Sequence, residues 1–199
     1  MSQRFHKSAY IYAVVFSLVY AAACFSQEQK QERKPPVYRT RYLFTINPVV
    51  SGRPFAGISD LFVDNKNHEI YALDRGNSRV VITDLKGTFL YEFGFGEAGI
   101  GPLPKGIAVA EDGLIYIAED KRIAIVKYNG RYQRDMDLST IPDSDAFFIQ
   151  SFAVDGDKVY LGGKGEIVVM DRNKEVFLAR FNKEMPVNTY MAVDDNEIY

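Results

Sequence analysis

The chain has 199 residues and a formal net charge of −2. That is long enough to bury a sizeable core and too weakly charged for a broad electrostatic pull on nucleic acid. Aromatic residues make up 14%, all Tyr and Phe, which favours β structure, and one cysteine with two histidines excludes an intrachain disulfide and a cysteine-based zinc site.

The first 23 residues read as an export address. Met1 to Lys7 carries Arg4, His6 and Lys7 with no acid, and Ser8 to Ala23 is an uncharged, mostly apolar run ending Ala21-Ala22-Ala23. A basic start, a short apolar stretch and small residues before the cut site form the pattern of a secretory signal. The apolar run spans 16 residues, fewer than the ~20 of a usual spanning helix, so a retained N-terminal anchor is the alternative. Ala21-Ala22-Ala23-Cys24 resembles a bacterial lipobox, with Ala21 where Leu is usual; the resemblance implies lipidation of Cys24. Residues 24–36 (CFSQEQKQERKPP) are largely polar and charged and end in Pro-Pro, a solvated linker. The expected location is the periplasm, the outer membrane or the cell surface, with membrane attachment through the N-terminus alone.

From Val37 onward helical periodicity is absent and short apolar runs alternate with Gly, Asn, Asp and Pro, which predicts an all-β fold. Val63, Val109, Val154 and Val193 each head a segment leading to Tyr71, Tyr116, Tyr160 and Tyr199, at spacings of 46, 45 and 39 residues. Those spacings suit a repeat array. Each copy reads as two hairpins. Asp112-Gly113 and Asp155-Gly156 supply tight turns in the first hairpin, Lys86-Gly87 and Asn129-Gly130 in the second, and Asn173-Lys174 takes that place in the third copy. Four antiparallel strands per copy make a β-propeller blade.

The stretch ALDRGNSRVVITDLKGTFLYEFG and the later PKGIAVAEDGLIYIAED resemble NHL-repeat propellers, a six-bladed type. Asp74, Asn77 and Arg79 precede the third strand, Gly87 sits in the hairpin, and Pro104 precedes Gly106 to Val109. In the second copy Arg122 occupies the place of Arg79 and Gly130 that of Gly87; in the third, Glu166 stands where the Arg was. This decay assigns the polar trio to bracing, with an Asp or a backbone carbonyl accepting from the Arg. The absence of Trp sets the chain apart from Trp-Asp propellers. Residues 37–199 hold about three and a half blades, with Val37 to Pro54 read as an outer strand and entry loop. Closure takes about 4–8 blades, which predicts that the sequence is part of a longer product of about six.

Gly94-Phe95-Gly96-Glu97-Ala98-Gly99 is a literal G-x-G-x-x-G after a strand. Dinucleotide binding would need a helix to follow, and Pro102 and Pro104 forbid one. The stretch reads as an inter-blade loop, and Gly94, Phe95, Gly96, Glu97 and Gly99 are candidate partner contacts. His68 belongs to a polar turn, and neither a zinc-type His/Cys cluster nor a serine-nucleophile elbow occurs. Carboxylates such as Asp112, Asp120, Asp143 and Asp155 sit at turns without calcium-loop spacing, so Ca²⁺ has no motif to support it and no cofactor is expected. Lys121 and Arg122 with Arg131 and Arg134 form a basic cluster at strand ends. The expected function is a non-enzymatic interaction module for a protein, peptide or glycan of the cell envelope, with no nucleic acid partner. The alternatives are a propeller hydrolase or lyase with catalytic residues on further blades, and the sensor part of a larger envelope protein.

Overall fold

The computed structural model describes residues 49–163, 165–182, 191, 193, 194, 197 and 198. The expected signal, linker, Cys24 and the strand-like stretch at 37–48 lie outside the described residues.

The described chain is nearly all β. A two-residue hairpin comes first, β1 (Val49–Val50) with β2 (Arg53–Pro54). Its turn places Ser51 and Gly52 at positive φ (54° and 74°), the geometry that matches strand twist in tight hairpins. Three four-stranded antiparallel sheets follow. The first holds β3 (Ile58–Asp64), β4 (Glu69–Asp74), β5 (Arg79–Asp84) and β6 (Phe89–Gly94). The second holds β7 (Gly106–Val109), β8 (Ile115–Ala118), β9 (Ile123–Val126) and β10 (Tyr132–Asp135). The third holds β11 (Ser151–Asp155), β12 (Lys158–Gly163), β13 (Glu166–Asp171) and β14 (Val176–Asn182). A further hairpin, β15 (Val193–Asp194) with β16 (Glu197–Ile198), follows the third sheet.

Each sheet is a meander whose strands pair in chain order, and the first strands β3, β7, β11 and β15 lie side by side in succession. Those first strands therefore run nearest a common axis and the fourth strands form the outer edges. This is blade-like propeller architecture with about three blades.

The alternation of side chains explains why the middle strands are apolar throughout. In β8 and β9, Ile115, Ile117, Ala124 and Val126 face the first sheet, where they meet Leu73, Val80, Ile82 and Phe93. The intervening Tyr116, Ala118, Ile123 and Ile125 face the third sheet and meet Val159, Leu161, Val168 and Met170. Both faces are thus buried, so the polar alternation of a one-sided sheet is lost. The free face of the first sheet, Ala72 and Val81, is covered by Val50 and Phe55 from the entry hairpin. Met191 and Val193 pack on Tyr160, Ile167 and Val169 of the third sheet.

Turn aspartates explain the hairpin ends. Asp64 accepts from the Lys66 and Asn67 N–H groups, Asp84 from Lys86 and Thr88, and Asp171 from Asn173 and Lys174. Gly87, Gly113, Gly130 and Gly156 all adopt positive φ. In the second hairpin of the third blade the left-handed residue is Glu175 (φ 57°), one position beyond the expected Asn173-Lys174 pair, because the Glu175 N–H closes the turn on the Asp171 carbonyl.

Candidate functional site

A polar cavity of about 500 Å³ opens at the end of the axis where the first strands begin. Ile58, Ser59 and Asp60 of β3 line it, with Arg75, Lys105, Gln150, Ser151 and Met191. Among the described residues, Asp60 is the one carboxylate of its lining. The pairing of β3 with β4 slips between Ile58 and Asp60, a bulge of the kind that re-aims a side chain. Ser59 donates its hydroxyl to the Leu73 carbonyl at 3.3 Å, and the Asp60 carboxylate accepts from the Ile107 N–H of the neighbouring blade at 2.9 Å.

Gly106 makes room for that bridge, since a Cβ there would lie 3.3 Å from Asp60 Oδ2 and 3.1 Å from Phe152 Cβ. By register on the second strands, Asp60, Gly106 and Ser151 are equivalent positions of three blades. Burial pushes the Asp60 carboxyl up, and the N–H groups of Ile107 and Leu61 draw it only part of the way back. Lys105 pairs with Asp120 at 3.0 Å, whereas no hydrogen bond or ion pair holds the Arg75 side chain among the described residues.

The trio ahead of the third strand forms a buried brace beside this cavity. Arg79, 1% exposed, donates through Nε to Asp74 at 2.9 Å and through Nη1 to Glu92 at 2.6 Å. Its Nη2 reaches the Arg53 carbonyl at 3.2 Å. Asn77 donates to both Asp74 and the Pro54 carbonyl, and the Ala56 N–H donates to Asp74. Burial alone pushes the Asp74 carboxyl up, but the bonds from Asn77, Arg79 and Ala56 outweigh it and hold the group below the ordinary carboxylate range. Gly76 completes the corner, because a Cβ there would come 2.3 Å from the Ala56 carbonyl oxygen.

The brace recurs with changed residues. In the second blade Glu119 takes the place of Asp74, accepting from the Gly101 N–H at 3.0 Å and lying 3.8 Å from Arg122. Arg122 also pairs with Asp135 at 2.9 Å, as Arg79 pairs with Glu92. In the third blade the pair is reversed in sign, Glu166 with Arg180 at 3.6 Å. Gly163 stands at the Asp74 position there, where a Cβ would meet the Phe148 carbonyl oxygen at 2.2 Å. The sequence reading registered Glu166 but missed its partner. The signal was present at the facing fourth-strand position, which runs Glu92, Asp135, Arg180.

At the opposite ends of the second strands the blades are clasped to one another. Tyr128 donates to Glu69 of the first blade at 3.3 Å and stacks on Tyr91, while Arg172 reaches Asp112 of the second blade at 2.7 Å. Tyr71 also donates to Glu69, and its burial beside that carboxylate pushes the phenol well above its ordinary range.

The G-x-G-x-x-G stretch is an inter-blade loop with a packed interior. Phe95 is 2% exposed and belongs with Ala98 and Ile100 to the core between the first two blades. Phe95 is therefore corrected from a candidate contact to a core residue: its neighbours needed an apolar plug where β6 ends. Gly96, Glu97 and Gly99 are exposed, and Gly94 is half-buried. The Gly99 carbonyl accepts from Arg122, and the connection ends on Pro104 at the cavity wall. The basic cluster is largely engaged: Lys121 lies over the Phe148 ring and donates to the Asp145 carbonyl, Arg122 is paired as above, and Arg134 pairs with Glu175. His68 is exposed at φ 59° in its turn. Among the described residues there is no group of three or more His, Cys, Asp or Glu side chains that could hold a metal ion. No described helix is long and apolar enough to cross a membrane.

No protein family and no curated protein matches the chain. Among solved structures it is similar to the computationally designed Ika8 protein, at a TM-score of 0.49 and 14% identity over 72% of this chain and 42% of that one. It is also similar to the hydrazine synthase of Kuenenia stuttgartiensis, at a TM-score of 0.47 and 12% identity over 73% of this chain and 39% of that one. The chain matches less than half the length of either structure.

Proposed function

We propose that this chain is an exported, NHL-like propeller acting as a non-enzymatic interaction module, which receives its partner at the axial cavity around Asp60. The observation that carries this reading is the cavity itself. It joins residues of three blades, and it holds a carboxylate, a guanidinium with no partner among the described residues, and neutral polar groups at and beside the strand ends. Rigid scaffolds commonly place binding groups at such ends. The partner is a protein, peptide or glycan of the cell envelope. Export rests on the basic start, the apolar run of Ser8 to Ala23 and the lipobox-like Ala21 to Cys24. Palmitate labelling of the wild type, lost together with normal processing in Cys24→Ser, is the expected sign of lipidation.

The interaction reading is tested by capture from envelope extract on tagged full-length chain, with captured species identified by mass spectrometry. Reversing the rim charges in Arg75→Glu/Lys105→Glu is expected to lose the partner, and Tyr132→Ala on the outer edge to keep it. Equal capture by both variants would overturn the assignment of the cavity.

A further inference from the structure

Resting on the reading of the cavity as the binding site, we infer that it takes a zwitterion of the α-amino acid type with an aliphatic side chain, its ammonium on Asp60 and its carboxylate on Arg75. Three charged side chains line this cavity, Asp60, Arg75 and Lys105; Lys105 is paired with Asp120, whereas no ion pair joins Asp60 or Arg75 to the other or to another described residue. Asp60 receives only neutral backbone N–H groups. An uncompensated carboxylate drawn from water favours a cationic donor, and an unengaged guanidinium favours a carboxylate.

Simpler ligands satisfy one group and offend the other. A free anion drawn to Arg75 meets Asp60, and a plain amine drawn to Asp60 meets Arg75 and Lys105. Ser59, Gln150 and Ser151 lie between the charged groups as neutral polar lining, and Ile58, 46% exposed, offers an apolar wall with Met191. The volume of about 500 Å³ accommodates one such molecule with water.

The test is titration calorimetry on the full chain with three related probes: leucine, which carries both charges, leucinamide, which carries only the cation, and N-acetylleucine, which carries only the anion. Leucine is expected to bind at least about tenfold more tightly than either, the effect of one charge-assisted hydrogen bond. Asp60→Asn should remove the advantage over N-acetylleucine, and Arg75→Gln the advantage over leucinamide, with far-ultraviolet dichroism confirming that both variants are folded. Undetectable leucine binding, equal affinity for leucine and either singly charged probe, or unchanged leucine affinity in both variants would each overturn the inference. If leucine fails while Arg75→Glu/Lys105→Glu still loses the captured partner, the zwitterion is wrong and the interaction reading stands. If leucine binds as expected but capture is insensitive to those substitutions, the ligand is right and the macromolecular reading falls.

Discussion

Arg79 and Asp74, 1% and 0% exposed, form a buried ion pair whose remaining donors and acceptors are filled by Asn77, Glu92 and the backbone of the entry hairpin. Removing one member leaves the other charge without its partner, so Arg79→Ala should cost about 3–5 kcal/mol in urea unfolding. The double variant Asp74→Asn/Arg79→Met should cost less than the sum of the single changes. Asp74 and Asp60 respond to acid in opposite directions. Asp74 sits below its unfolded value, so its contribution is present at neutral pH and is lost as pH falls below about 4. Asp60 sits above its unfolded value, so its ionised form opposes folding at neutral pH and that penalty fades as the group protonates. Asn keeps an acceptor for the Ile107 N–H without the charge. Asp60→Asn should therefore raise the melting temperature at pH 7.5 and leave it nearly unchanged at pH 4. A neutral effect at both values would show that the carboxylate carries no penalty. Asp60 was illegible in the sequence because its counterparts are Gly106 and Ser151, so no repeated residue type marks the position.

The strands and their turns were largely legible, since aspartate, asparagine or lysine followed by glycine between apolar runs encodes both the hairpin and its positive φ. The exceptions are His68 and Glu175, non-glycine residues in the left-handed region that no residue type announces; at Glu175 the backbone closes on the Asp171 carbonyl. Gly130 carries two constraints, φ 74° and a site at which a Cβ would lie 2.5 Å from the Phe93 side chain. Gly130→Ala should destabilise by about 1–3 kcal/mol, combining left-handed strain with overpacking. The reversed pair of the third blade offers a cleaner comparison. Glu166→Arg and Arg180→Glu should each cost about 0.5–1 kcal/mol, and the double swap should recover most of the loss. Failure to recover would mean that the pair is positioned by its backbone alone. Phe95 shows the limit of motif reading: the stretch is the inter-blade loop that the sequence predicts, but this candidate contact is an aromatic ring buried in the blade junction at the end of the outer strand.

At the scale of the molecule, the second blade is the keystone, because its alternate side chains build the cores on both sides. Ile117→Ala, fully buried against the first blade, should cost about 2–5 kcal/mol. Amide exchange should be slowest in β8 and β9 and faster in the outer strands β6 and β10. The blade count and strand order follow from internal repetition, which is why they could be read from the chain. The cavity could not, because it forms where the starts of β3, β7 and β11, some 45 residues apart in sequence, converge at one end of the axis. The central claim is that this convergence is the contact site. It is tested most directly by placing a photo-cross-linking residue in the full chain at Ser59, at Glu97 or at Tyr132, and irradiating each in envelope extract. Cross-linking of one partner from Ser59 and none from Tyr132 is the predicted result; cross-linking from Tyr132 with none from Ser59 would contradict it.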